Sequence, residues 1–261
     1  MAAEGINMTK NPVQSAERIF NILETLAETG PIGIMDLSLR LDLHKSTVHR
    51  LLLSLICMGY VQQDVTGKYL LTFKIVQLSE KIISRSDIVT IVHPLIAELA
   101  NNCRETVHFV QRNGTEVLYL DKVEPFNAHE SAIRMASQVG LARPMYCSAV
   151  GKAILAEMKE EEVEYIWNNS VIEKKTEHTI ISLSELMKEI GEVRRDGYAL
   201  DNEENELGVR CIAVCVRDLQ GHPNNAFSIS APAVRMTDDR IKQLAAEVLR
   251  TKDIIQKMLG H

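Results

Sequence analysis

His44-Lys45-Ser46-Thr47-Val48-His49-Arg50 gathers two cations, two imidazoles and two hydroxyls into one short run. On a helix, such a run offers Ser and Thr at short range to bases or phosphates, and Lys and Arg to phosphate or guanine. The helix N-terminus adds a further pull on phosphate. No carboxylate falls between Asp42 and Asp64, so a polyanion meets least repulsion there. Three segments in the other half of the chain suit a small organic ligand instead. Met145 to Ala153 passes from a strand-like stretch into a helix, whose first free N–H groups attract a carboxylate. Phe227-Ser228-Ile229-Ser230 puts two hydroxyls on one face of a strand, because side chains alternate. Leu200 to Cys211 reads as a dense acidic loop leading into a strand, and Asp201 in it can accept hydrogen bonds from ligand hydroxyls. Together the three point to a pocket.

Catalytic constellations are missing. There is no G-x-S-x-G, H-E-x-x-H, G-x-G-x-x-G or phosphate-binding loop. Gly151-Lys152 is followed by Ala153 and lacks the earlier glycine such a loop needs. His108, His129, His178 and His222 stand singly and read as surface or core residues. Cys211 and Cys215 are four apart, without a second Cys/His pair at zinc spacing. No catalytic residue, metal or cofactor is expected. Five scattered cysteines read as reduced thiols rather than a disulfide frame.

The elements that must position these groups follow from periodicity. Val13, Ala16, Ile19, Phe20, Leu23, Leu26 and Ala27 recur at three and four, a helical face ended by Gly30-Pro31. A short helix carries Ile34, Leu37, Leu41 and Leu43. A third runs from Lys45 to Met58, with Val48, Leu51, Leu52 and Leu55 as its buried stripe and Gly59 as its stop. Tyr60-Val61 and Tyr69 to Leu71 flank Asp64-Val65-Thr66-Gly67, a strand, a tight turn and a strand. Helix, helix, helix, hairpin is a winged helix-turn-helix, and Lys68 joins the reading residues from the wing. Residues 74–103 read as a connecting helix whose apolar face is offered to a partner subunit or packs only on its own domain, and Pro94 is expected at a first helical turn. Beyond Thr106, strands are expected at 106–111, 116–123, 133–136, 209–216 and 227–231. Helices are expected at 148–158, 160–167, 182–195 and 237–259. The strands and helices do not alternate regularly, which makes this an α+β domain with a largely antiparallel sheet. The domains are placed at 10–74 (winged helix-turn-helix), 75–95 (linker helix) and 96–261 (effector-binding).

At 261 residues the chain suits two modest cores, and 46% hydrophobic with 25% charged residues excludes a wholly disordered or low-complexity chain. The first 75 residues hold seven basic and seven acidic side chains, so the net charge of −6 belongs to the remainder. No segment reaches the roughly 18–20 apolar residues of a membrane span, and the N-terminus has no apolar core of a signal peptide. The expected place is the cytoplasm.

Four ordered motifs, K-S-T-V-H-R-L-L, G-L-A-R-P-M-Y-C-S-A-V-G-K-A, G-Y-A-L-D-N-E-E-N-E-L-G-V-R-C-I-A-V and S-I-S-A-P-A-V-R, resemble the IclR family of bacterial transcription regulators from about Val13 to Leu259. The resemblance implies a winged-helix DNA-binding domain, a linker helix and a GAF-like effector domain, acting on operator DNA as a homodimer or dimer of dimers. It implies an effector held by the amides of Ala149 and Val150 and the side chains of Asp201, Cys211, Ser228 and Ser230, with apolar walls from Met135 and Val209. Where the family often has proline after C-I-A-x, this chain has Cys215. R-M-x-S-x-V-G, x-P-M-Y-x-S-A-V-G-K and E-T-V-H-F look most like the repressors of 2-keto-3-deoxygluconate (sugar-acid) catabolism, the KdgR-type subgroup. A glyoxylate or pyruvate sensor is the rival, an aromatic-acid-responsive regulator or an activator of the same family remains open, and a keto-acid enzyme using Cys211 is the alternative of another class.

Overall fold

The computed structural model describes residues 13–83, 85–126 and 137–261. The chain divides into two compact units, one ending at Ile82 and the other running from Ile83 to His261.

The first unit has α1 (Gln14–Thr29), α2 (Ile34–Arg40), α3 (Lys45–Cys57), and a hairpin of β1 (Val61–Gln63) and β2 (Tyr69–Leu71). Its core joins Ile22 and Leu26 of α1, Leu37 of α2, and Val48, Leu51, Leu52 and Leu55 of α3 to Val61 and Tyr69 of the hairpin. Each fully buried aliphatic side chain there contributes about 1.5–3 kcal/mol. The α1 stripe is rotated from the expected one. Ile22 is its centre, whereas Phe20 is 61% exposed. Between α2 and α3, Asp42 takes φ 49°, a left-handed turn that a short polar side chain tolerates. The Ser38 hydroxyl closes the turn by donating to the Leu43 carbonyl. In the wing, the Asp64 carboxylate accepts from the Thr66 amide (2.8 Å), the Thr66 hydroxyl (2.7 Å) and the Lys68 amide (2.9 Å). Gly67 supplies the positive φ that such a turn requires. Ile32 forms an isolated antiparallel bridge to Tyr69 of the hairpin. The helix α4 (Lys74–Ile83) follows, with none of its described residues buried and Val76, Leu78 and Ile82 exposed.

The second unit opens with α5 (Asp87–Cys103). Pro94 lies inside this helix rather than at its start. Ser86 and Asp87 begin the helix instead. Its stripe of Val89, Val92, Ile96, Leu99 and Cys103 is buried against the sheet, and that packing outweighs the hydrogen bond that proline removes. The strands are β3 (Thr106–Asn113), β4 (Glu116–Val123), β5 (Ala142–Pro144), β6 (Ala199–Asn202), β7 (Val209–Val216) and β8 (Asn225–Pro232). They form one curled sheet in the order β5-β4-β3-β8-β7-β6, and every pair is antiparallel. Helices α6 (Ala149–Ala156), α7 (Glu160–Asn168), α8 (Leu183–Asp196) and α9 (Asp238–Met258) complete it.

Alternation assigns the two sheet faces. Val107, Phe109, Ile212, Val214, Phe227 and Ile229 pack with α5 and α9. Val110, Val117, Ala213, Cys215 and Ala226 pack with α6, α7 and α8. The α+β architecture with an antiparallel sheet is thus the observed one. Strands β5 and β6 are short additions to the sequence reading. The strand expected at 133–136 lies outside the described residues, as does Met135.

Candidate functional site

In the first unit, burial of Val48, Leu51, Leu52 and Leu55 fixes which way α3 faces. His44, Lys45, Ser46, His49 and Arg50 are exposed, and Thr47 is half-buried. His44 is the N-cap and gives the helix no side-chain cap, so the first-turn N–H groups are open to an anion. Lys68 is exposed at the end of the wing turn. Among the described residues, the side chains of Lys45, Arg50 and Lys68 form no ion pair.

In the second unit a small cavity of about 30 Å³ opens on the α6 side of the sheet. All six strands reach it: Arg143 from β5, Tyr119 from β4, His108 from β3, Ser228 and Ser230 from β8, Cys211 from β7 and Asp201 from β6. Register accounts for the convergence. Asp201 faces Cys211, Cys211 faces Ser230, and Ser228 faces His108. Ala149 and Val150 at the start of α6 close the floor, with Val209 beside them in the lining. The Ser148 hydroxyl caps α6 by accepting from the Gly151 amide (3.2 Å) and donates to the Pro144 carbonyl (2.7 Å). That bond ties the helix start to β5.

The polar groups are arranged as a relay. The Ser228 and Ser230 hydroxyls are 3.4 Å apart. His108 Nδ1 lies 3.2 Å from Ser230 Oγ, and Nε2 lies 2.6 Å from Ser137 Oγ. Tyr119 meets the His108 ring edge-on at 5.0 Å. Burial first, then the nearby Lys122 charge, pull His108 down to about 3, so its imidazole is neutral and has one donor and one acceptor nitrogen. Burial pushes the Cys211 thiol well up, which makes it a poor nucleophile.

Asp201 is buried, and its Oδ1 accepts from the amides of Glu204 (2.8 Å) and Asn205 (3.4 Å). Burial, then the Glu204 charge, raise its carboxyl from 3.8 to about 7 despite those bonds. A raised folded-state value means the native protein binds the extra proton between about pH 4 and 7, so this group makes stability fall as pH rises through that window. Asp201→Asn should therefore flatten that slope and raise stability at pH 7 while changing little below pH 4. Urea unfolding across the range checks it, and an unchanged slope would refute this assignment.

Behind Asp201, Lys152 is fully buried, with Nζ 2.5 Å from Glu204 and 3.0 Å from Glu189. Burial alone would lower its ammonium, but the two carboxylates more than offset this and hold it above the usual lysine range. The hydroxyls of Thr176 and Thr179 donate to the carbonyls of Glu203 and Glu204, both at 2.6 Å. The segment after β6 is therefore anchored from two sides.

Of the expected ligand residues, Ala149, Val150, Asp201, Val209, Cys211, Ser228 and Ser230 line this one cavity. Asp201 stands on a strand and is buried, not on a solvated acidic loop. His108, Tyr119, Ser137 and Arg143 were missed. Alternation from Val107 puts His108 on the face opposite the apolar one, but only the β3–β8 register reveals that it meets Ser228.

A winged helix with open cations, in one chain with an α+β domain enclosing a polar cavity, defines a DNA-binding regulator with an effector domain. Two family models match this chain: the IclR helix-turn-helix domain over residues 15–65 and the bacterial transcriptional regulator IclR C-terminal domain over residues 80–256. The chain is 34% identical to the HTH-type transcriptional regulator KdgR of Dickeya chrysanthemi, covering all of this chain and 85% of that one. It is 33% identical to the KdgR of Escherichia coli, covering all of this chain and 98% of that one. The IclR crystal structure from Thermotoga maritima superposes with a TM-score of 0.78 at 28% identity, covering 95% of this chain and 99% of that one. The chain belongs to the IclR family and is a DNA-binding transcriptional regulator, and its likeness to both KdgR proteins supports the KdgR-type subgroup.

Proposed function

We propose that this regulator represses a carbon-catabolism operon and is released from its operator by a small hydroxylated keto acid of the 2-keto-3-deoxygluconate type. The observation that carries the reading is the enclosed grouping of Asp201, Ser228 and Ser230 beside the N-terminus of α6. The amides of Ala149 and Val150 take the carboxylate, the two serines and Asp201 read hydroxyl groups, and Val209 and Cys211 supply apolar wall. Met135 keeps its proposed wall role. The DNA-binding domain spans 10–74, the linker 75–95 takes in most of α4 and the first half of α5 as two helices rather than one, and 96–261 is the effector domain, with the apolar face of α4 serving self-association into a homodimer or dimer of dimers. The protein works in the cytoplasm and has no catalytic role; among the described residues no helix is long and apolar enough to cross a membrane.

His44, Lys45, Ser46, Thr47, His49 and Arg50 of α3 enter the major groove, and Lys68 of the wing contacts the backbone. Paired subunits then require half-sites about one helical turn, or a multiple, apart. The acid acts only by binding two subunit arrangements unequally.

The test is selection of an operator from random duplex DNA, followed by titration of the complex with a panel of keto and sugar acids. Release by a hydroxylated keto acid, and not by glyoxylate or pyruvate, supports the reading. Release by glyoxylate or pyruvate alone overturns the effector class. Arg50→Ala should weaken operator binding more than tenfold at fixed salt, about 1–3 kcal/mol. Unchanged affinity would remove α3 as the reading helix.

A further inference from the structure

We propose that Arg143 makes this cavity selective for acids that carry a second anionic group, a carboxylate or a phosphate, at the end nearest the mouth. The inference rests on the reading above, that the cavity takes a hydroxylated keto acid, and narrows it to phosphorylated or dicarboxylic members of that class.

The cavity is graded by depth. Ala149, Val150, Asp201, Ser228, Ser230 and His108 are all buried and form its inner part. Arg143, Tyr119, Ser137 and Asn205 line it too, but each is only half-buried, and Glu206 is exposed. An acid with its first carboxylate on the α6 amides therefore sends its other end towards Arg143.

The placement of Arg143 follows from register. It faces Val117 across the β4–β5 ladder, and Val117 belongs to the α6 side of the sheet. Its charge is felt at the Tyr119 hydroxyl together with those of Asp201 and Glu206, so the curl of the sheet brings β5 and β6 round one space. Among the described residues, the Arg143 guanidinium has neither a hydrogen bond nor an ion pair. Among the described residues, Lys152 is engaged by Glu204 and Glu189, and Lys122 by Glu124. Glu206 also lines the cavity, is exposed, and forms no ion pair among the described residues. An arginine in a cavity wall with its donor fork unused is built for a planar carboxylate or a phosphate. A monoacid held at the floor leaves that fork empty.

Calorimetry on the full chain tests this with matched probes: gluconate against glucarate, gluconate against 6-phosphogluconate, and 2-oxopentanoate against 2-oxoglutarate. The wild type should bind the dianion of at least one pair roughly tenfold tighter, the size of one charge-assisted contact. Arg143→Leu should level that pair to within about twofold by weakening the dianion far more than the monoacid, and Arg143→Lys should keep part of the preference. The pair that shows the effect separates a carboxylate from a phosphate.

Equal wild-type affinity for monoacid and dianion in every pair overturns the proposal. So does an Arg143→Leu loss shared equally by both, which would mean a wall or a common carboxylate contact. Ser230→Ala separates the two levels of argument. If it weakens the monoacids while no dianion preference exists, only the Arg143 inference falls. If no acid binds the wild type at all, the effector reading falls with it.

Discussion

Gly151→Ala is expected to deprive the effector domain of its folded state. A Cβ at this position would stand 2.3 Å from both the Cα and the carbonyl oxygen of Met145, and 2.7 Å from its carbonyl carbon. All three are backbone atoms, so no rotamer change relieves the overlap. Either α6 moves off the Met145 segment or that segment leaves the core, where Met145 is fully buried. The cost should exceed the roughly 1–3 kcal/mol of an ordinary overpacked methylene. Intrinsic preference points the other way, since alanine in a helix is favoured over glycine by up to about 1 kcal/mol. Gly191 on α8 is the internal control: an added Cβ there meets nothing within 4 Å, so Gly191→Ala should stabilise slightly. Thermal unfolding of both variants gives the comparison. A Gly151→Ala protein melting within a few degrees of the wild type would show that α6 can give way.

Lys152→Met should be the second most damaging change, costing about 3–5 kcal/mol as the rupture of a buried ion pair. Its Nζ is the shared partner of Glu204 and Glu189, and Glu204 Oε2 already has no partner. Without the ammonium, the buried Glu204 carboxylate faces that of the partly exposed Glu189. Both would be driven towards protonation, so the native variant would bind more protons than the unfolded chain, and its deficit should shrink as pH falls. Urea unfolding at pH 7 and pH 4.5 checks this, and Glu204→Gln in the Lys152→Met background should restore part of the loss. A deficit independent of pH would place the damage in packing rather than charge. Ligand affinity should fall as well, because the Glu204 amide donates to Asp201.

The parts of this molecule that sequence reveals are those set by neighbours in the chain. Three- and four-residue spacing identifies α1 and α3. Gly59 and Gly67 mark a helix end and a turn, and both take positive φ. Ser228 and Ser230 share a face because alternation is a property of a single strand. His108, Tyr119 and Arg143 are different, because each becomes a wall of the cavity only when separate strands are aligned. Strands β5 and β6 are only three and four residues long, too short to carry a period. Asp201 reads as a loop residue because acidic neighbours follow it, yet pairing with Cys211 places it in the sheet. Pro94 reads as a boundary from its ring alone, whereas the apolar stripe around it decides where α5 begins. Lys152 shows the converse error. Judged as part of a phosphate-binding loop it fails, and its role as the anchor of Glu204 depends on contacts 37 and 52 residues away.

Each of the six strands puts at least one side chain into the cavity, while the ladder that holds them is made of backbone hydrogen bonds. Recognition and scaffold are therefore separable. A substitution of the Arg143 or Ser228 side chain changes the cavity wall without touching the backbone bonds that register the strands. Chemical preference can then drift one strand at a time, each step passing through a folded protein. Gly151 and Lys152 are exempt from that freedom, because they hold the frame itself. A lineage built on this frame should vary freely at the strand-borne contacts and hardly at all at those two positions, which gives a compact way for one architecture to answer many acids.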